Sequence, residues 1–216
     1  LTEPDSLHGQ IDSISAYQGL YNVSCNGAHD GSIDLSVSGG TSPYTYLWST
    51  TAVTQDVSGL AAGTYSVVIT DNNGCTKTVN ALLTEPNALQ VVLNSPTTPN
   101  GTNIGCNGEN SGRIFSTVTG GVGPYSYSWL PDGQTTANVF SLYAGFYQVD
   151  IADQNGCTIH DTITLTEPDT LVPLITVTAV VGGFNVSCNG GNDADATVIV
   201  NGGSPPYNYL WNTGDT

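Results

Sequence analysis

Apolar and polar residues alternate over short stretches of this chain. "SIDLSV" at residues 32–37 and "TYSVVIT" at residues 64–70 alternate in this way, as expected of a strand with one buried face. Clusters of Gly, Asn and Pro separate such stretches at intervals of about 8–12 positions, a spacing typical of β-sandwiches. No helical period of 3.6 residues continues for three turns. The pattern predicts an all-β fold.

The interval from residue 87 to residue 168 gives a strand-by-strand prediction. "GGVGPY" at 120–125 is a predicted turn, in which Pro fixes φ just before a Tyr-rich strand. Seven strands are predicted here, at 89–93, 102–106, 112–118, 124–129, 137–142, 146–152 and 157–165.

Whole phrases recur along the chain, which indicates an internal repeat. "LTEPD" at 1–5 returns as "LTEPN" at 83–87 and as "LTEPD" at 165–169. Cysteines and tryptophans recur at the same 81- or 82-residue spacing. We therefore predict a unit of about 82 residues, with a preceding unit ending at residues 1–4, complete units at 5–86 and 87–168, and a partial unit at 169–216. These are called the first, second and third repeats below, and we expect a longer array.

The repeated aromatic residues favour an immunoglobulin-like sandwich. One Trp in a middle strand of each unit can fill the space between two sheets. The core is therefore predicted to contain Trp48, Trp129 and Trp211, with sugar stacking by Trp48 as the alternative. Leu-x-x-Gly-x-Tyr resembles a tyrosine corner, which involves Tyr65 and Tyr147. Short, proline-containing "TEP" junctions limit bending, so a rod-like array is expected.

The five cysteines follow the same repeat. Counting strands as alternately up and down places Cys25 and Cys75 at the same end of the first repeat, where a disulfide is geometrically reasonable. Cys106 and Cys157 have nearly the same spacing, and Cys188 is expected to pair with a cysteine outside these residues. A metal site is the alternative, although the sequence contains no CxxC pair or Cys–His cluster. Paired cysteines would indicate an oxidising, extracellular location.

Charge excludes several classes of function. Two basic residues, Lys77 and Arg113, face eighteen Asp and Glu residues, for a net charge of −16. Binding to nucleic-acid phosphates or to anionic lipid needs clustered Lys and Arg. No apolar run is long enough to cross a membrane as a helix. The expected partners are therefore neighbouring repeats, not nucleic acid or a membrane.

No catalytic constellation is recognisable, and a non-enzymatic role is expected. His8, His29 and His160 occupy unrelated positions in the repeat, and no nucleophile, metalloprotease or nucleotide motif occurs. A recurring oxygen-rich cluster suggests weak calcium binding as a hypothesis, with tight Asx turns as the alternative. Its candidate ligands are Asn26, Asp30 and Asp71 in the first repeat and Asn107 and Asp153 in the second.

Several phrases together resemble the SprB repeat, named for a large surface adhesin of gliding bacteria. They are "SCNG", "GG…PYtYxW", "LxAGxYxVxIxDxxGCT" and the closing "TEP", with Gly105 as a local departure. The resemblance implies β-rich tandem repeats on very long extracellular proteins exported by type IX secretion. By similarity it implies the disulfides Cys25–Cys75 and Cys106–Cys157. It also suggests O-glycosylation at Asp-Ser/Thr-apolar positions, here Ser6, Ser13, Thr162 and Thr170.

The function favoured by the sequence is a structural stalk in a filamentous cell-surface adhesin that serves attachment in gliding motility. The gliding machinery or a surface polysaccharide would then contact other parts of the protein. Two alternatives remain open. In one, each unit binds carbohydrate and the array adheres by avidity. In the other, the units associate through strand edges into extracellular fibres.

Overall fold

The computed structural model describes residues 3–180, 182–212 and 214. Within them the secondary structure is almost entirely β, apart from a 3₁₀ turn at Gln18–Leu20. The strands are β1 His8–Ile14, β2 Gly31–Ser38, β3 Thr45–Trp48, β4 Val57–Leu60, β5 Gly63–Thr70, β6 Thr76–Leu83, β7 Gln90–Asn94, β8 Gly112–Thr119, β9 Ser126–Leu130, β10 Val139–Leu142, β11 Gly145–Ala152, β12 Thr158–Leu165, β13 Val172–Val177 and β14 Ala196–Asn201. The all-β prediction is confirmed.

The first repeat folds into two three-stranded sheets. One sheet has the order β1-β2-β4 and the other β3-β5-β6, and the neighbouring strands in both are antiparallel. This is the order of strands A-B-E and C-F-G in a constant-type immunoglobulin domain, without a counterpart of strand D. The strand order by itself therefore supports an immunoglobulin-like sandwich.

Residues from both sheets form one apolar core in the first repeat. Alternation on β2 directs Ile33 and Leu35 inward, and β5 does the same with Val67 and Ile69. Trp48 on β3 is 2% exposed, and its indole Nε1–H donates to the carbonyl of Thr54 at 2.9 Å. Since each such apolar side chain contributes about 1.5–3 kcal/mol when buried, facing the two sheets together is the main source of stability.

The two ends of this sandwich carry different loops. At the proximal end, the Gly40 N–H donates to the Asp5 carbonyl, and the Thr41 N–H donates to the Asp71 carboxylate. At the distal end, the start of β2 at Gly31 is paired with the end of β4 and lies against Leu83. Cys25 lies between β1 and β2, at the distal end. Cys75 follows Asp71 at the proximal end.

The predicted placement of Cys25 and Cys75 at one end is therefore wrong. β4 is antiparallel to β2, and β3 is antiparallel to β5. Because β5 begins at the distal end where β4 stops, β3 and β4 run in the same direction. The connection between them, residues 49–56, returns without forming a strand, and strict up-and-down counting missed it.

The second repeat has the same two sheet orders. They are β7-β8-β10 and β9-β11-β12, while β13 pairs with β14 in the third repeat. The predicted strand at 102–106 is wrong. The N–H groups of Asn103 and Ile104 both donate to the Thr166 carbonyl, at 2.9 and 3.0 Å. Two consecutive N–H donors that share one carbonyl acceptor form a turn, whereas a β-ladder would use alternate residues. The side chain of Ile104 is fully buried beneath this turn.

By density of internal contacts the chain divides into two compact units. One comprises Leu1–Val92, Thr117–Thr136 and Val149–Asp161, and the other comprises Leu93–Ser116, Ala137–Gln148 and Thr162–Thr216. Their boundaries differ from those of the sequence repeats. Among the described residues, no helix combines the length and the apolar character needed to cross a membrane.

Candidate functional site

The loop that contains the first cysteine of each repeat is held by the "TEP" segment at the end of the same repeat. We call residues 24–27 and 105–108 the first and second CNG loops. In the first, one carboxylate oxygen of Glu85 accepts the Gly27 N–H at 2.6 Å, and the other accepts the Asn26 side-chain amide at 3.0 Å. The same amide also donates to the Pro86 carbonyl at 3.2 Å. Glu85 thus clamps the loop through one backbone and one side-chain contact.

The second CNG loop repeats this arrangement almost atom for atom. Glu167 accepts the Gly108 N–H at 2.7 Å and the Asn107 amide at 3.1 Å, and Asn107 also donates to the Pro168 carbonyl at 3.1 Å. The glycine is required, because Gly27 and Gly108 have φ of 73° and 75°, a region costly for residues with a side chain. The "CNG" and "TEP" phrases therefore recur together because they contact each other.

The proximal end is organised by a buried aspartate in the "DNNGC" and "DQNGC" loops. Asp71 accepts the N–H groups of Asn73 at 2.9 Å, Cys75 at 2.8 Å and Thr41 at 3.0 Å. Burial raises the pKa of Asp71, but these hydrogen bonds together outweigh it and hold the pKa below its ordinary value. The carboxylate therefore closes this turn as an acceptor for the backbone.

Asp153 plays the same structural role in the second repeat. It accepts the N–H groups of Asn155 at 2.9 Å, Cys157 at 2.9 Å and Val122 at 2.8 Å. Like Asp71, it is buried. Its oxygens are thus occupied by the chain's own backbone.

The disulfide observed in the structure joins two successive repeats. Cys25, in the first CNG loop, is bonded to Cys157, which follows Asp153 in the second repeat, with a Cα–Cα distance of 5.7 Å. That distance lies within the usual range for a disulfide, and both residues belong to one compact unit. The pairings Cys25–Cys75 and Cys106–Cys157, inferred from family resemblance, are therefore wrong. They fail because the two cysteines of the first repeat lie at opposite ends of its sandwich.

Asn155 supplies polar contacts beside this disulfide. Its side-chain amide donates to the Ser24 carbonyl at 3.0 Å, and its amide oxygen accepts the Gln18 N–H at 3.2 Å. A side-chain amide can both donate and accept, so it reaches two backbone groups of the first repeat at once. The covalent bond is thus accompanied by direct hydrogen bonds between the same loops.

Three cysteines are unpaired thiols in the structure, and all three are exposed: Cys75, Cys106 and Cys188. The expected disulfide of Cys188 lies outside these residues and remains a prediction.

The calcium hypothesis loses its geometric basis in the first repeat. Asn26 and Asp30 lie at the distal end, whereas Asp71 lies at the proximal end, so the three side chains cannot share one ion. Among residues 3–180, 182–212 and 214, no three His, Cys, Asp or Glu side chains are grouped closely enough to hold a metal. In the second repeat, the Asn107 amide donates to Glu167 and Pro168, and the Asp153 carboxylate accepts backbone N–H groups. These contacts account for both proposed ligands without an ion.

Asp30 closes the first CNG loop from inside. Its carboxylate accepts the Ser24 N–H at 3.1 Å. Burial raises the pKa of Asp30, but its hydrogen bonds, chiefly those from Ser24, outweigh that effect and lower the pKa. Asp193 accepts the Ser187 N–H at 3.0 Å in the third repeat, and those hydrogen bonds lower its pKa as well. The second repeat has Ser111 at this position.

The aromatic residues named from the sequence occupy structural positions. The Tyr65 hydroxyl donates to the Ala61 carbonyl at 2.9 Å, and the Tyr147 hydroxyl donates to the Tyr143 carbonyl at 3.0 Å, the geometry of a tyrosine corner. Trp48 and Trp129 are both buried, with 2% and 1% of their surface exposed. Trp211 is only half-buried.

The candidate glycosylation residues are all exposed but lie in different settings. Ser6 and Thr170 precede the first strands of their repeats, and the Thr170 hydroxyl donates to the Asn107 side-chain oxygen at 3.0 Å. Ser13 lies in β1 and donates to the Asp34 carboxylate, and Thr162 lies in β12. Their modification remains a prediction.

Sequence reasoning missed the two glutamates and Asn155. The proline of "TEP" indicates a stiff junction, but Glu85 and Glu167 make the contacts that hold the CNG loops. The available signal was the recurrence of the "TEP" glutamate together with a "CNG" turn in both complete units. No local signal pointed to Asn155, because its partners are more than 130 positions away.

One family model matches this chain at more than one place. The family model of the SprB repeat matches three segments, residues 21–53, 98–134 and 185–216. No curated protein matches the chain. The three matched segments begin close to the CNG loops.

The chain is also similar to a solved structure, the crystal structure of Down Syndrome Cell Adhesion Molecule (DSCAM) isoform 1.30.30, N-terminal eight Ig domains. The sequence identity is 17%, the TM-score is 0.30, and the match covers 75% of this chain. It covers 26% of the other chain, so this chain spans about a quarter of that length. A TM-score this low carries no argument, and the fold assignment rests on strand order.

Proposed function

We propose that this chain, which carries the SprB repeat at three segments, is part of the structural stalk of a large cell-surface adhesin. Its repeats serve as load-bearing spacers, and ligand recognition belongs to other parts of the protein. The family match supports cell-surface adhesin repeats in general. The stalk role is our inference from the geometry.

The observation that carries this proposal is the disulfide between repeats. Cys25–Cys157 connects the distal loop of one repeat to the proximal loop of the next. Meanwhile, the polar groups that recur in both complete units, such as Glu85 and Asp71, hold the chain's own backbone. Side chains used in this way stabilise the loops of their own repeat, and their oxygens are occupied by those contacts. This supports a non-enzymatic, mechanical role.

We further propose that the chain is exported by type IX secretion and acts outside the cell in gliding motility. The support is the resemblance to the SprB repeat, together with a net charge of −16 that disfavours nucleic acid and anionic lipid as partners. A disulfide also suits an oxidising, extracellular location.

A competition experiment tests the stalk against a binding role. The purified 216-residue chain is added in excess to cells of the source organism while their attachment to glass and to polysaccharide-coated surfaces is measured. A stalk predicts undiminished attachment, because the free chain occupies no receptor. Dose-dependent inhibition would contradict the stalk and favour carbohydrate binding.

A replacement experiment provides the complementary arm. Deleting these repeats from the full-length protein should weaken attachment, and inserting unrelated sandwich domains of equal number should restore it. Failure of the unrelated spacers to restore attachment would count against a purely mechanical role.

Sugar stacking by the array would use tyrosine rings of the "GG…PY" segments, but the first tyrosine of each segment is hydrogen-bonded to the chain's own backbone. The hydroxyl groups of Tyr44, Tyr125 and Tyr207 donate to the carbonyls of Gly39, Gly120 and Gly202, at 2.6, 2.6 and 2.5 Å. These hydroxyls stabilise the "GG…PY" turns from within. Assembly into fibres is distinguished by light scattering, which should stay at the monomer value with and without calcium for a stalk segment.

A further inference from the structure

The bonded pair has a definite register along the repeat. Cys25 and Cys157 are 132 positions apart, which is the spacing of the two cysteines within a repeat plus one whole repeat. The bond therefore joins the CNG loop of one copy to the "NGC" loop of the following copy. Because every copy carries the CNG cysteine, the same register applies wherever a complete copy follows.

The surroundings of Cys106 match those of Cys25. Glu167 clamps the second CNG loop as Glu85 clamps the first. In addition, the Ser204 hydroxyl donates to the Gly105 carbonyl at 3.3 Å. Gly105 corresponds to Ser24, and Ser204 corresponds to Val122, the residue whose backbone N–H is held by Asp153. The turn that accompanies Cys157 in one compact unit therefore has its counterpart against Cys106 in the other.

An open apolar groove lies directly beside Cys106. It has a volume of about 650 Å³ and is lined by the loop itself, by Leu171, by Val198 and Val200 of β14, and by Tyr207. In the first repeat, the corresponding face of β1 and β2 is covered by the sheet β3-β5-β6, which contributes to one continuous core. The apolar side chains that line the groove are therefore those expected to contact a second sheet in the third repeat.

We propose that Cys106 is a disulfide site whose partner is the "NGC"-loop cysteine of the next repeat, and that the occupant of the groove is the second sheet of that same repeat. In this register, Cys75 pairs with the CNG cysteine of a preceding copy, and Cys188 pairs forward in the same way. The inference concerns the chemistry of the cysteines and does not rest on the stalk function.

The bond forms by oxidation of two thiols. Each thiol loses one proton and one electron, and the two sulfurs join. The two electrons reduce a small-molecule disulfide such as oxidised glutathione to two thiols, through a mixed-disulfide intermediate. Cys106 meets the accessibility requirement because it is exposed.

The register has a mechanical consequence. Each bond spans 132 residues, and the forward bond of Cys188 would begin 31 positions after Cys157 closes the first one. Under tension, only those intervening 31 residues lie on the load path between two successive bonds, about 100–110 Å when fully extended. An oxidised array whose sandwiches unfold therefore extends much less than a reduced one, in which every residue lies on the load path.

The test uses the chain with residues 49–86 repeated after Trp211, which completes the third repeat and supplies a copy of Cys75. The protein is refolded in a glutathione redox buffer, alkylated, digested without reduction and mapped by mass spectrometry. We expect Cys106 linked to the copy of Cys75, Cys25 linked to Cys157, and alkylated Cys75 and Cys188. A link from Cys188 to the copy of Cys75, or a copy that remains a free thiol, would overturn the proposal.

Two variants of the extended chain serve as matched controls. Cys188→Ser removes the partner for a bond within the third repeat and should leave the Cys106 link at full yield. Cys106→Ser should leave the copy of Cys75 alkylated, and its transfer to Cys188 would contradict the register. Neither result depends on whether the array serves adhesion.

Discussion

The two CNG loops differ in one feature that their sequences do not show. Both are clamped by a glutamate from the closing "TEP", and both contain a left-handed glycine. Yet Cys25 is half-buried in a disulfide, while Cys106 is exposed as a thiol. The difference arises from what lies opposite each loop, since Cys157 faces Cys25 and an open groove lies beside Cys106.

The glutamate clamp and the disulfide therefore stabilise a CNG loop independently of each other. The clamp is intrinsic to each repeat and positions the loop before any bond is made. The disulfide depends on the neighbouring copy.

Removing the disulfide should have the largest effect. Cys25→Ser should lower the free energy of unfolding by up to about 5 kcal/mol, because the unfolded chain regains the entropy of an open 132-residue loop. The measurement is urea unfolding without reductant. Cys106→Ser is the matched control and should leave the curve unchanged. Equal losses in both variants would show that the two loops do not differ covalently.

Removing the apolar anchor of the second CNG loop should have the next largest effect. Ile104→Ala should cost about 2–5 kcal/mol, because it deletes fully buried methyl groups and leaves a cavity. With no bond to retain the loop, alkylation of Cys106 by iodoacetamide should also accelerate in native conditions. Ile104→Val, at about 0.5–1.5 kcal/mol, is the control. An unchanged alkylation rate in Ile104→Ala would mean that this anchor does not hold the loop.

Weakening the clamp should affect the two loops unequally. Glu167→Gln exchanges charge-assisted hydrogen bonds for neutral ones, at a cost of roughly 1 kcal/mol, so exchange of the Gly108 amide hydrogen should accelerate about fivefold. Glu85→Gln should accelerate exchange at Gly27 less, because the disulfide still restrains that loop. Glu109→Gln removes the same charge without touching the clamp and serves as the control. Similar acceleration at both glycines would contradict the restraint.

Acid should remove a stabilising contribution that only the first loop receives, the one from the Asp30 carboxylate. The pKa of Asp30 is lowered in the folded state, so its ionised form stabilises the fold. That contribution is complete above the unfolded value of about 3.9 and disappears as the pH falls through the folded pKa. The difference in melting temperature between the wild-type chain and Asp30→Asn should be present at pH 6 and should diminish as the pH falls below about 3.9 and through the folded pKa. Ser111→Ala, at the equivalent position of the second loop, should show no such pH dependence, and a constant difference for Asp30→Asn would exclude the carboxylate as its source.

Most strands were predictable because their signal is local. β2 and β5 were recognisable from alternation alone, since a one-residue slip would turn Ile33 and Val67 to solvent. The segment at 102–106 was mispredicted as a strand because its apolar residue, Ile104, is buried in a turn. A buried apolar residue does not by itself distinguish a strand from a loop. Its true partner, Thr166, lies more than 60 positions away.

Several features are recognisable without the structure: the repeat, the sheet-forming stretches, the buried Trp48 and Trp129, and the turns that need glycine. Each of these depends on neighbours a few positions apart or on simple recurrence. The tertiary structure decided the cysteine pairing. Two strands, β3 and β4, run in the same direction, and that single departure from alternation sends Cys25 and Cys75 to opposite ends of the sandwich. A bond that forms only where two loops meet in space is decided by strand direction, which no local pattern of side chains encodes.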